Sequence, residues 1–138
     1  LCIFIAMIGF GMNERSLVIA AAINMLIAVA AGAFGAHALK AVVSSDMLAV
    51  WHTAVTYQIA HALGLFVIAL LMPRFKSALL ARAGIVMLAG IVVFSGSLYA
   101  LAFSGLRMLG AITPIGGAAF LLAWAMVAWA ALRDESWS

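Results

Sequence analysis

Residues 51–72 read WHTAVTYQIAHALGLFVIALLM. The first half carries two histidines, a tyrosine, a glutamine and two threonines, and the second half is a run of side chains suited to hydrocarbon. A helical reading joins the halves, because no turn residue interrupts the run before Pro73. The stretch is then a membrane-crossing helix with a polar stripe, and the rest of the chain follows from that.

Of the 138 residues, 69% are apolar and 8% charged. An ordinary soluble domain has about 45–50% apolar and 25% charged residues. The mean hydropathy of +1.29 belongs to a membrane protein. At about 20 apolar residues per spanning helix, this length holds four spans and leaves no room for a soluble catalytic domain. The net charge of +3 comes from seven basic residues scattered among the expected helix ends. They read as topology signals rather than as a nucleic-acid surface. The single cysteine, Cys2, excludes an internal disulfide and every multi-cysteine metal motif.

Residues 1–11, LCIFIAMIGFG, are too short to span and lack the basic start of a signal peptide. Met12 before Asn13-Glu14-Arg15 reads as a natural start, so 1–11 is expected to be an extension and 12–138 a single domain. Ser16 can cap a first span over 17–39, ended by Lys40. Ser44-Ser45-Asp46 offers a cap for a helix that continues to Met72, with the span proper at 52–72 and Trp51 at the interface. Ser77 opens a third span, 78–104, that stops near Gly105, and Thr113-Pro114 opens a fourth, 114–132. Arg15, Arg74, Lys76, Arg82 and Arg133 then fall on one side, and Lys40 and Arg107 on the other. This excess places both termini in the cytoplasm. The expected fold is an all-α membrane protein, a four-transmembrane-helix bundle in a bacterial inner membrane.

On a wheel of about 100° per residue, Thr53, Tyr57, His61 and Gly64 share one side of the second span, with Gln58 and Ala60 at its margins. Val55, Ile59, Leu63 and Phe66 face the other way. Asn24 lies with Ala28, Ala31, Gly35 and Ala38 on a small-residue face of the first span. The third span has two stripes, Ser95 with Tyr99 and Gly90 with Ser97 and Ser104. The start of the second span, the end of the third and the start of the fourth lie on the outer side. Together they predict a polar pocket in the outer half of the bundle, lined by Tyr57, Gln58, His61, Ser95, Ser97, Tyr99 and Thr113. Asn24 lies deeper, and His37 joins only if Gly35 bends the first helix.

The same residues have a plainer reading, in which buried polar groups hydrogen-bond across the bundle for about 0.6 kcal/mol each and bind nothing. His61 has no histidine at i+3 or i+4 and no carboxylate or thiolate within a span, so no metal site is expected. A bis-histidine haem site would need His61 with His37 or His52, and no cofactor is expected. All four acids, Glu14, Asp46, Asp134 and Glu135, lie outside the spans, which argues against paired-acid hydrolysis and carboxylate-driven transport. A serine nucleophile assisted by His61 lacks an orienting acid, so no catalytic residue is assigned. His61 remains the side chain of the pocket that can change charge near neutral pH. In TPIGG, Gly116 and Gly117 leave helix N–H groups uncovered for an anionic head group or solute, although helix packing needs such glycines too.

GAFGAHALK (32–40), W…T…YQ..HALGLF (51–66), FSGSLY (94–99) and ITPIGG (112–117) together resemble the YgdD/YwdK-like family of small four-helix inner-membrane proteins. The resemblance covers about residues 14–132, and residues 1–11 fall before the family's usual start. Its motif positions map onto Gly35, His37, Trp51, Tyr57, Gln58, His61, Ser95, Gly96, Ser97, Tyr99, Thr113, Pro114 and Gly116. It implies fold, membrane and topology but no established activity. The expectation is a non-enzymatic accessory or scaffold bundle, partnered by the lipid bilayer and by further copies or a larger membrane complex, with no nucleic acid. The alternative is binding or transport of a small solute or lipid through the outer pocket.

Overall fold

Asn13 sets the first helix. Its backbone is extended and its side chain accepts a hydrogen bond from the Ser16 N–H, so α1 runs Glu14–His37, three residues ahead of the start expected from a Ser16 cap. A computed structural model describes residues 12–75 and 77–133. The apolar stretch 1–11, Lys76 and the polar tail 134–138, each given a role above, lie outside the described residues. After α1 a short 3-10 turn, Leu39–Ala41, carries Lys40.

Ser44 caps α2, Ser45–Leu71, by accepting from the Met47 N–H, as the Ser-Ser-Asp signal predicts. Ser77 caps α3, Ala78–Ser104, which ends on Gly105 in the left-handed conformation at φ 69°. That conformation is cheap for glycine and lets the chain leave the helix within one residue. A second 3-10 turn, Arg107–Ala111, leads into α4, Thr113–Arg133. All four helices are long and apolar enough to cross a membrane.

The helices pack in chain order, α1 on α2, α2 on α3 and α3 on α4, with α1 also touching α3. Half of the most apolar window of α2 and of α3 is buried, against 22% for α1 and α4. The two middle helices therefore form the centre and the outer two are flanks. Lipid replaces protein on the flanks, which expose Leu26, Val29, Leu121 and Leu132.

The main apolar core lies in the half of the bundle where α1 begins and α4 finishes, and there Leu17, Leu65, Ile68, Leu80, Met87 and Ala123 pack together. Polar side chains collect in the other half. Arg15, Arg74, Arg82 and Arg133 lie at the end where α1 begins and α4 finishes, and Lys40 and Arg107 at the opposite end.

The buried arc of α2 is rotated from the expected one. Gln58 is central to it, with Trp51, Ala54, Val55, His61, Ala62 and Leu65, whereas Thr53 and Tyr57 are exposed. The cause is that α2 is covered on two sides, by α1 and by α3, so Val55 is buried although it lies off the polar stripe. Thr53 tolerates exposure because its hydroxyl donates to the Ala49 carbonyl of its own helix.

Candidate functional site

The polar residues of α2 and α3 form two hydrogen-bonded seams and one aromatic stack. In the first seam the Tyr99 hydroxyl donates to Gln58 Oε1 at 2.7 Å, and Gln58 Nε2 donates to Asn24 Oδ1 at 3.3 Å. Asn24 Nδ2 in turn donates to the Ala20 carbonyl at 2.9 Å. One chain of bonds thus ties α1, α2 and α3 together. Gln58 can stand between the other two because an amide offers both a donor and an acceptor. Beside it, Ser95 Oγ donates to the Ala54 carbonyl at 2.9 Å.

The second seam joins α3 to α4. Ser97 Oγ lies 2.8 Å from Thr113 Oγ1 and 2.9 Å from the Phe94 carbonyl, and Thr113 Oγ1 lies 3.4 Å from the Leu109 carbonyl. The two stripes read on α3 therefore serve different neighbours, Ser95 and Tyr99 facing α2 while Ser97 faces α4. Every fully enclosed side-chain nitrogen or oxygen among the described residues has a partner.

Gly116 belongs to this second seam. A Cβ placed there would lie 2.5 Å from the Phe94 backbone nitrogen, so the glycine lets α4 approach the α3 backbone. Gly117 is looser, with its nearest contacts 3.8 Å away on the Phe94 ring. Gly116 thus supplies the close helix packing that TPIGG allows.

His61 lies apart from both seams. Its Nδ1 is 2.8 Å from the Tyr57 carbonyl, and its ring stacks on Phe120 of α4 at 3.4 Å between centroids and 11° between planes. Tyr57 stacks on Phe94 at 4.4 Å. Tyr57 and His61 thus share an aromatic stack rather than a hydrogen-bonded pocket with Ser95 and Tyr99. His37 stands exposed at the end of α1 and joins none of these groups. Among the described residues no three His, Cys, Asp or Glu side chains come together.

Trp51 is turned inward, a direction that composition alone does not give. It is 6% exposed, with Nε1 donating to the Ala31 carbonyl at 2.8 Å. Its ring packs on Tyr99 at 4.4 Å and edge-on to Phe103 at 5.3 Å. A sequence signal existed in Gly35, one turn beyond Ala31, where a Cβ would lie 2.7 Å from the Trp51 indole.

Residues 31–117 match the model of a protein family of unknown function, DUF423. That segment holds Trp51, the α2–α3 seam and the Thr113–Gly116 turn. The chain belongs to the DUF423 family. It is 50% identical over 117 residues to the UPF0382 membrane protein YwdK of Bacillus subtilis, covering 84% of this chain and 95% of that one. It is 46% identical to a UPF0382 membrane protein of Staphylococcus epidermidis over 84% of this chain and 94% of the relative. With the UPF0382 inner membrane protein YgdD of Escherichia coli the identity is 39%, over 88% and 93%. No solved structure matches the chain. This DUF423 protein is a multi-pass bacterial membrane protein, and the printed name of its Escherichia coli relative places that relative in the inner membrane.

Proposed function

We propose that this DUF423 protein is a non-enzymatic accessory unit, a stiff four-helix scaffold that associates within the membrane with further copies of itself or with a larger complex. The observation that supports this most is the Tyr99–Gln58–Asn24 chain of bonds, which uses the polar groups of three helices on one another. Side chains fixed in this way serve to hold the helices in register. The lipid-facing flanks of α1 and α4, rich in Leu, Ile and Val, are the surfaces offered to partners. Both termini lie in the cytoplasm on this reading, because Arg15, Arg74, Lys76, Arg82 and Arg133 outnumber Lys40 and Arg107 on the other side.

The test is extraction from native membranes in a lipid-retaining polymer, followed by native mass measurement. A scaffold is recovered at fixed stoichiometry with itself or a partner, and Leu26→Asn on α1 or Leu121→Asn on α4 breaks that stoichiometry. A protein recovered only as a lone monomer refutes the proposal.

A second reading, binding of a small lipid-phase molecule, is favoured by one observation. His61 keeps a ring nitrogen out of both seams.

A further inference from the structure

The Tyr57 carbonyl fixes the tautomer of His61. A carbonyl oxygen only accepts, so Nδ1, 2.8 Å away, carries the proton and the neutral ring presents its lone pair at Nε2. No described residue donates to Nε2, although the residue as a whole is only 7% exposed. Because every fully enclosed side-chain nitrogen has a partner, Nε2 is not fully enclosed.

Rings surround the imidazole. Phe120 covers one face of the imidazole, Tyr57 lies nearly parallel at 5.9 Å, and Trp124 stands tilted at 6.2 Å. Tyr57 is 42% and Trp124 40% exposed, so both reach the lipid-facing surface between α2 and α4. The backbones of these two helices pack on α3, and Tyr57, His61, Phe120 and Trp124 bridge the gap between them.

Depth selects the ligand. The 21 residues of α4 rise roughly 31 Å, about the thickness of the hydrocarbon core. Phe120, and His61 stacked upon it, then lie about 10 Å inside the Thr113 end. A phospholipid head group stays in the interfacial region beyond that depth. A donor that reaches Nε2 belongs to a lipid-soluble molecule, and the surrounding rings favour one whose hydroxyl sits on a flat ring.

We infer that His61 Nε2, Tyr57 and Trp124 form a lateral site for a lipid-phase ligand of the phenol or quinol class, its O–H donating to Nε2. The inference rests on the second reading above and names its ligand. Only a hydrogen bond forms, and no electron or proton is transferred.

The experiment uses histidine 15N spectra of the full chain in nanodiscs of phosphatidylethanolamine and phosphatidylglycerol, with the imidazole signals assigned through His37→Gln and His52→Gln. Three probes are titrated: a decyl-substituted benzoquinol, its dimethyl ether and oleic acid. The expected result is a saturable shift of the His61 Nε2 signal with the quinol, at an affinity roughly tenfold above that of the ether, the size of one hydrogen bond made away from water. His61→Phe removes the preference for the quinol over the ether. Should that variant not fold, the quinol-to-ether ratio in the unaltered protein decides alone. Equal binding of quinol and ether overturns the inference. A shift with oleic acid but not with the quinol overturns the ligand class and leaves lipid binding standing, whereas no shift with any probe removes both.

Discussion

Replacing Gln58 by leucine tests whether the polar seam holds the bundle together. Leucine keeps the side chain's approximate bulk but deletes the 2.7 Å bond from Tyr99 and the 3.3 Å bond to Asn24. At about 0.6 kcal/mol for an average interhelical bond in a membrane protein, the two bonds account for about 1.2 kcal/mol. Gln58 is only 4% exposed, so the Tyr99 hydroxyl and the Asn24 carbonyl oxygen lose their partner inside the bundle rather than at a wet surface. An orphaned group of that kind costs roughly 1 kcal/mol or more, which brings the expected loss to about 2–4 kcal/mol. Tyr99→Phe alone should cost about 1 kcal/mol. The double variant should be more stable than the sum of the two predicts, by about 1 kcal/mol, because phenylalanine removes the hydroxyl that leucine orphans. Reversible unfolding in mixed dodecylmaltoside and SDS micelles, followed by tryptophan fluorescence, measures all four proteins. Effects that add to within about 0.3–0.5 kcal/mol would refute the reasoning, since residues that do not interact behave that way.

Gly116→Ala should destabilise the α3–α4 pair by about 1–3 kcal/mol, because the new methyl meets the Phe94 backbone, which has nowhere to retreat. Gly96→Ala, with nothing within 4 Å, should change stability by at most about 1 kcal/mol and in the favourable direction in the same unfolding assay. Leu17→Ala should cost about 2–5 kcal/mol by hollowing the apolar core, and adding Gly84→Ala should restore part of that loss, since the Gly84 Cβ would occupy the space 2.5 Å from Leu17 Cδ2. Independent losses from the two would contradict the α1–α3 contact. A reporter active only in the cytoplasm should be active when fused to the C-terminus and silent when inserted in the turn before Thr113, and the opposite pattern would reverse the proposed orientation.

Much of the framework could be read from the chain. Pro73, Ser77, Gly105 and Thr113-Pro114 act within a few residues of themselves, so they place the ends of α2, α3 and α4 without any tertiary information. The first helix was the partial exception, because Asn13 and Ser16 are both good caps and only the extended backbone at Asn13 selects between them. The two stripes on α3 were also legible. Which helix each one meets was not, because a stripe carries an angle but no partner.

The same limit explains the site. Sequence alone determined that this chain is a four-span membrane bundle and that Gln58, His61, Ser95, Ser97 and Tyr99 lie within its spans, because hydropathy and helical period are properties of the single strand of chain. Only the packed structure decided that Gln58 lies at the centre of the buried arc of α2, that Trp51 reaches inward to the Ala31 carbonyl, and that His61 stacks on Phe120 instead of meeting Ser95. Those outcomes depend on which neighbours cover α2 from two sides. In a membrane, where lipid satisfies apolar surface as well as protein does, short-range fit and hydrogen bonding choose those neighbours, and hydrophobicity does not.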